Sequence, residues 1–195
     1  MNGGRYIPSL LFQHIPVPEI SNLIKRVPKK STIGAIEGYG PFKGAHYAVN
    51  DKVCFENKLF GETPGSPHEN TNEFEAVSEK GDVFGMYFGH DHRNNFAGRY
   101  QGMDLGYCPS CGFHVYGPGI KRALRVFEID EKNPANYTTY TVTYEELCGK
   151  PLQKLTNFFY YVAPANLTDV KNIAVKVMGV VILIAIMFII KNLLQ

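Results

Sequence analysis

The order of apolar and polar positions divides the first half of the chain into short elements joined by turns. Residues 83–88 are apolar, aromatic or small, which predicts a buried strand that ends just before His90 and His92. Residues 9–12 form a second apolar run, which predicts a short strand that ends before His14. Both predicted strands therefore deliver histidines at their carboxyl ends.

The segment between these two strands carries weaker signals. Apolar positions recur at helical spacing over residues 18–27, and a proline suits the first turn, so we predict a helix there. Residues 28–79 hold many turn-forming residues, and a loop this long in a folded domain is usually a lid or a binding loop. A short helix is predicted within it over 71–80. His46 and His68 also lie in this region and are interpreted as solvated histidines.

After His92, the pattern of apolar and polar positions favours antiparallel strands. The pair Gln101 and Gly102 is typical of a hairpin turn between two of them. A glycine-rich loop then spans 108–119. It is followed by a strand whose alternation is imperfect and by a second strand rich in β-branched and aromatic residues. The four predicted strands are residues 95–100, 103–107, 123–129 and 137–144.

The C-terminal region is almost entirely apolar. Residues 173–190 contain a single charge, Lys176, and residues 177–190 contain none. A helix needs roughly 17–25 such residues to cross a bilayer, and a lysine near its end can reach the interface. A buried core helix is the alternative, but the segment is apolar all round, which favours a single membrane span.

Composition narrows the function classes. The chain has 195 residues, enough for one domain with a sizeable core, and a formal charge of +2. A nearly neutral chain gives no sign of a basic face for nucleic acid, so no nucleic-acid partner is expected. Cys108 and Cys111 form an isolated C-x-x-C pair, which is interpreted as a local disulfide or two free thiols.

The spacing of His90 and His92 is compatible with a metal site. If the chain stays extended, the two imidazoles lie on the same side, and Gly89 lets the backbone turn closely beneath them. Neutral imidazole is a good ligand for zinc, iron and manganese-type ions. A pair of solvated loop histidines would produce the same pattern.

Three motifs together resemble one family. His14-Ile-Pro-Val-Pro-Glu19, Gly89-His-Asp-His92 and Gly112-Phe-His-Val-Tyr-Gly117, with arginines following at 122 and 125, are similar to segments of the calcineurin-like metallophosphoesterases. The purple-acid-phosphatase-like branch is the nearest match. The resemblance covers about residues 5–145. It implies an α/β fold, a four-layer α/β/β/α sandwich, which here would be partial and followed by a transmembrane helix.

The resemblance also implies a two-metal site and a phosphoester substrate. Carried over by position, His14 and His90 would bind one metal ion and His92 the other. The two ions would be divalent or trivalent, of the iron, zinc or manganese type. Metal ions about 3.5–4 Å apart generate a hydroxide near neutral pH and clamp the phosphoryl oxygens.

Three acidic motifs of the family are missing before the first of these segments. D-x-H, G-D-x-x-D (or Y) and G-N-H-D (or E) have no match here. We therefore predict the C-terminal part of a metallophosphoesterase domain over 1–150, a linker over 151–172 and a transmembrane helix over 173–190. The predicted function is a membrane-anchored, metal-dependent phosphoesterase, inactive as this chain alone. The alternative is a non-catalytic or degenerate relative.

Two sequons bear on the side of the membrane. Asn136-Tyr-Thr138 and Asn166-Leu-Thr168 both fit the acceptor pattern for N-glycosylation. They favour a lumenal or extracellular domain, whereas a tail anchor with a cytosolic domain is the alternative. The lysines at 171, 176 and 191 lie on both sides of the span and do not decide between them.

Overall fold

The computed structural model describes residues 4–28, 32–149, 154, 158 and 167–193. Segments rich in turn-forming residues separate many of its strands and helices. The strands are β1 (Ser9–Gln13), β2 (Ile24–Val27), β3 (Ile36–Glu37), β4 (His46–Val49), β5 (Cys54–Phe60), β6 (Val83–Phe88), β7 (Asn94–Tyr100), β8 (Met103–Tyr107), β9 (Ala123–Ile129) and β10 (Tyr137–Thr143). The α-helices are α1 (Glu73–Ser78), α2 (Tyr144–Cys148) and α3 (Leu167–Leu193). Short 3-10 helices cover Pro18–Leu23, Gly40–Phe42 and Gly119–Lys121.

A mixed five-stranded sheet organises the domain, in the order β1-β6-β8-β7-β5. Strands β1, β6 and β8 run parallel, whereas β7 and β5 are antiparallel to their neighbours. The carboxyl ends of three neighbouring strands therefore meet at one edge. In sheets with parallel strands this edge is the usual place for a ligand site.

Strand β6 explains how the two faces of the sheet are used. Met86 and Phe88 point to one face, where they join the main apolar core together with Leu23 and Phe74. Tyr87 points to the other face, where its ring lies 4.7 Å from that of Phe127 on β9. A strand covered on both faces is apolar throughout, which is why the run over 83–88 predicted it correctly.

The hairpin of β9 and β10 covers the second face of the sheet. The hydroxyl groups of Tyr87 and Tyr137 lie 2.6 Å apart, and Tyr137 also donates to Asp104 at 2.8 Å. The described residues thus show a helix-containing layer, the five-stranded sheet, the two-stranded sheet of β9 and β10, and a three-stranded sheet in the order β2-β4-β3. The four-layer sandwich is not confirmed; the mixed α/β class is.

The helix predicted over 18–27 is wrong in its second half. Only Pro18–Leu23 is helical, as a 3-10 helix without a side-chain cap, and Ile24 is extended with ψ 158°. The β-branched residues at 24 and 27 then pair with β4 in an antiparallel ladder. Ile20 and Leu23, three residues apart in the 3-10 helix, are both buried against β7. Their spacing is therefore helical over this short segment only.

The long loop predicted over 28–79 is also wrong in part, because it contains β3, β4 and β5. His46, predicted as a solvated loop residue, begins β4 and is half-buried, whereas His68 is exposed as predicted. Register shifts interrupt the pairing of β5 twice, between Cys54 and Glu56 and between Asn57 and Leu59. Such irregularities break the two-residue period that would have revealed the strand.

Other predicted elements are confirmed with small changes of boundary. The turn between β7 and β8 has φ 46° at Gln101 and 86° at Gly102, both in the left-handed region that tight hairpins require. The helix predicted over 71–80 is the shorter α1. Helix α2, which the sequence analysis missed, begins with a reciprocal capping box between Thr143 and Glu146.

Helix α3 contains the predicted membrane segment. Its part Val170–Asn192 is 23 residues long, sufficiently apolar to cross a membrane, and unburied by the other described residues. The core-helix alternative therefore finds no support. The helix begins at Leu167, earlier than the boundary predicted at residue 173. Most of the predicted linker over 151–172 lies outside the described residues, so the division into domains stays a prediction.

Candidate functional site

The predicted metal ligands lie together at the carboxyl edge of the parallel strands. His14 follows β1, His90 and His92 follow β6, and Cys108 follows β8. All four line one open cavity of about 240 Å³, called here the histidine groove, which is completed by Gly89, Asp91 and residues 109–112. The strand topology therefore places the three histidines along one groove.

His90 is presented by a strained turn and not by an extended strand end. Its φ is 63°, and the Asp91 N–H donates to the Gly89 carbonyl at 2.7 Å, which closes a three-residue γ-turn around it. Such left-handed backbone is unfavourable for a non-glycine residue and occurs often at functional sites. The sequence analysis placed His90 and His92 on one side on the assumption of an extended backbone, and that assumption is wrong at His90.

His14 and His90 approach each other directly. Their ring centroids are 5.3 Å apart, with the rings nearly perpendicular. A Cβ at Gly89 would lie 3.2 Å from Nδ1 of His14, so a side chain there would require a small shift of the His14 ring. His14 is exposed and His90 half-buried, so this part of the groove is open to solvent.

His92 is held by the loop that follows β8. Its ring stacks on that of Tyr116 at 4.4 Å, and its Nδ1 lies 3.0 Å from the Tyr116 carbonyl oxygen. A carbonyl only accepts hydrogen bonds, so Nδ1 carries a proton, and in the neutral imidazole Nε2 then keeps its lone pair. This arrangement is the usual one for a metal-ligating histidine.

Asp91, which lies between the two histidines, points into the protein. One of its oxygens accepts from the buried Tyr107 hydroxyl at 2.6 Å, and both accept from the Gly65 N–H at 3.0 and 3.2 Å. Burial raises the pKa of this carboxyl, against these hydrogen bonds. Gly65 must be a glycine, since a Cβ there would lie 2.7 Å from the His90 ring.

A second buried carboxylate lies beneath the groove. Glu62 accepts from the Arg93 N–H at 2.6 Å and from the Tyr116 hydroxyl at 2.9 Å. Desolvation by burial raises its pKa to about 7. Asn94 joins the same segment to β7, since its side-chain oxygen accepts from the backbone N–H groups of Gly61 and Glu62.

Arg122 shapes the glycine-rich loop. Its side chain is fully buried and donates to Ser110, to the Gly112 carbonyl and, at 2.6 Å, to the Val115 carbonyl. A buried guanidinium therefore provides the donors that these loop carbonyls need. The loop in turn positions Tyr116 against His92.

The described residues do not by themselves form a two-metal centre. No three histidine, cysteine or acidic side chains among them are close enough to hold a metal ion. Asp91 lines the groove, but both of its oxygens already accept hydrogen bonds. The assignment of His14, His90 and His92 as ligands stays a prediction. Cys108 and Cys111 are free thiols in the structure.

Sequence reasoning missed the polar groups that support the histidines. Glu62, Asp91 and Asn94 are buried, yet their partners lie far along the chain. The available signal was the run Glu62-Thr-Pro-Gly65 and the carboxylate enclosed between two histidines. The sequon residue Asn136 is exposed, just before β10, whereas Asn166 lies outside the described residues.

Comparison with known proteins supports a distant family relation. The chain is 30% identical over 122 residues to "Probable inactive purple acid phosphatase 14" of Arabidopsis thaliana, covering 62% of this chain and 24% of that protein. It is 28% identical over 124 residues to "Probable inactive purple acid phosphatase 29" of the same plant, covering 63% and 25%. The chain therefore spans about a quarter of the length of these curated relatives.

No family model matches the chain, and no solved structure does. The two relatives support a purple-acid-phosphatase-like family, and both carry the word "inactive" in their names. The comparisons thus agree with the resemblance found in the sequence at the level of the family, and they do not extend to catalysis.

Proposed function

We propose that this chain supplies the histidine side of a metal-dependent phosphoesterase site of the purple-acid-phosphatase-like kind. The observation that carries the proposal is the meeting of His14, His90 and His92 in one groove at the ends of parallel strands. Nε2 of His92 keeps its lone pair for a ligand because Nδ1 is engaged by a carbonyl. The substrate would be a phosphomonoester or phosphodiester.

The proposal assigns no hydrolysis to this chain alone. A two-metal centre needs carboxylates to offset four or more positive charges, and Glu62 and Asp91 are engaged inside the protein. We expect such carboxylates to come from D-x-H, G-D-x-x-D and G-N-H-D type motifs in a longer form of the protein. Without them, three imidazoles would hold a metal ion weakly.

The test measures bound metal and turnover separately. The full chain in neutral detergent is loaded with zinc or manganese, its metal content is determined by mass spectrometry, and hydrolysis of phenyl phosphate is followed. We expect weak metal binding that His92→Ala reduces and the exposed-site control His68→Ala retains. We expect no hydrolysis above a metal-free sample.

Two results would contradict this assignment. Equal metal content in His92→Ala and in the parent would reject His92 as a ligand. Robust metal-dependent hydrolysis by the chain alone would show that the carboxylates are already present in it. In a longer form that carries the three acidic motifs, His92→Ala should remove roughly one metal equivalent and most of the turnover.

A second candidate is a non-catalytic phosphoesterase-like protein anchored to a membrane. The names of both relatives favour it, and so does the engagement of Asp91 by Tyr107 and Gly65. The sequence of a longer form separates the two candidates. The three acidic motifs in one reading frame support the enzyme, and their absence from that form supports the non-catalytic protein.

Membrane anchoring by α3 is also part of the proposal. A single helix satisfies its own backbone hydrogen bonds, as the hydrocarbon core requires, and Val170–Asn192 is unburied. Lumenal or extracellular placement of the domain rests on the sequons at Asn136 and Asn166. A mobility shift after endoglycosidase treatment would support that side, and its absence would favour the tail anchor with a cytosolic domain.

A further inference from the structure

A second concave surface, which shares no lining residue with the histidine groove, lies between the edge strand β5 and the three-stranded sheet of β2, β3 and β4. Two adjoining cavities, of about 320 and 250 Å³, share Leu59, Phe60 and Lys121. We call them together the β5 groove. Small-molecule sites run from about 300 to 1,000 Å³, so the larger cavity lies at the lower end of this range and the smaller one just below it.

Basic side chains dominate the charged lining of the β5 groove. Arg93 and Lys121 line the first cavity, and Lys121 lines the second with Lys25 and Lys58. Asp51 is the one carboxylate that lines either cavity among the described residues, 3.5 Å from Lys25. The whole chain has 20 basic and 18 acidic residues, so this four-to-one ratio is a local concentration of charge.

Among the described basic residues of the groove, Lys121 is the one that lines both cavities. Glu146 interacts electrostatically with Lys58, and Glu62 with Arg93. Lys121 is exposed and lies where the two cavities join. An anion bound at this junction would contact Lys121 and lie within reach of both sides of the groove.

The uncharged side chains that line the first cavity are apolar, whereas Thr32 and Asn57 add polar groups to the second. Ile36, Leu59, Phe60 and Pro118 contribute side chains to the first cavity. Arg93 is held at its edge, with its guanidinium carbon 5.5 Å from the centre of the Tyr116 ring. A ligand that fits both features carries several negative charges and an apolar or ring-shaped portion.

We propose that the β5 groove binds closely spaced phosphate groups, those of a small molecule or of a lipid headgroup. Phosphate oxygens accept charge-assisted hydrogen bonds from lysine and arginine. A nucleic acid would need a wider basic face, and the nearly neutral charge of the chain provides none. The groove is distinct from the histidines, so the proposal does not rest on phosphoesterase activity.

The test uses inorganic tripolyphosphate as the probe and the full chain in neutral detergent, without added metal. Binding is measured by calorimetry at low and at moderate salt. We expect Lys121→Gln to weaken binding roughly fivefold and the double variant with Lys58→Gln at least tenfold. Lys132→Gln removes the same charge from an exposed turn and should leave the affinity within about twofold.

Two further arms separate the sites and the sources. His14→Ala alters the histidine groove and should leave tripolyphosphate binding unchanged. The second arm repeats the tripolyphosphate titration in nanodiscs that contain phosphatidylinositol bisphosphate. Weaker tripolyphosphate binding in these nanodiscs identifies a lipid headgroup as the carrier of the phosphate groups. Unchanged binding identifies a soluble small molecule as the carrier. The proposal is overturned if the parent does not bind at about 1 mM tripolyphosphate, or if Lys121→Gln and Lys132→Gln behave alike.

Discussion

The carboxyl group of Glu62 provides a quantitative test of the network beneath the histidine groove. Burial, opposed by hydrogen bonds from Arg93 and Tyr116, raises its pKa from 4.5 to about 7. Between these two values the folded protein holds a proton on Glu62, whereas the unfolded chain releases it. The stability contributed by this group is therefore present below pH 4.5 and is lost as the pH rises through 7.

Glu62→Gln removes the titration and preserves the shape. The amide oxygen can accept from the Arg93 N–H, and the amide nitrogen can donate to the Tyr116 hydroxyl. The difference between 4.5 and about 7, at about 1.36 kcal/mol per pKa unit, corresponds to about 3 kcal/mol. Glu62 is only 3% exposed, so solvent screening reduces this figure little.

The measurement is the free energy of unfolding of the full chain in detergent at about pH 5 and about pH 8. Tyrosine fluorescence can follow it, because the chain has 12 tyrosines and no tryptophan. Between about pH 5 and about pH 8, we expect the free energy of unfolding of the parent to fall by about 2–3 kcal/mol more than that of Glu62→Gln. The exposed-site control Glu131→Gln should behave like the parent. Parallel changes in the parent and in Glu62→Gln would refute the reasoning.

Three further predictions address the loop scaffold and the anchor. Asp91→Ala leaves the buried Tyr107 hydroxyl without its acceptor and should lower the free energy of unfolding by about 2–4 kcal/mol in urea titrations. Arg122→Met removes the donor to the Gly112 carbonyl, so the glycine-rich loop should be cleaved faster by protease and stability should fall by about 3 kcal/mol. Deletion of residues 172–195 should move the protein from the membrane pellet to the soluble fraction after carbonate extraction; a full chain that already extracts as soluble contradicts the anchor.

The sequence predicted the elements whose signals are local. Strand β6 is apolar throughout because both faces of the sheet are covered there, and the β7–β8 hairpin carries its turn residues at Gln101 and Gly102. Strand β5 escaped prediction because two register shifts break its alternation. The segment 18–27 was misassigned because one 3-10 turn followed by a strand reproduces helical spacing.

Only part of the candidate site could be predicted from the sequence, because only some of its residues carry a local signal. Histidines that end strands are visible in sequence, and the parallel topology then brings them together. Glu62, by contrast, meets Arg93 across 31 residues, and Asp91 meets Gly65 across 26. These pairings depend on tertiary contacts that no local pattern encodes.

The geometry of the histidine groove is maintained by contacts that need no metal ion. Asp91 closes the turn around His90 and is itself held by Tyr107, and the Tyr116 carbonyl and ring fix His92. A protein without the three acidic motifs can therefore keep its imidazoles in place for structural reasons alone. Metal content therefore tests whether the histidines bind an ion, and turnover tests separately whether the site catalyses hydrolysis. Loss of metal in His92→Ala, in a longer form that shows no turnover, would identify binding without catalysis, whereas loss of both would identify an enzyme.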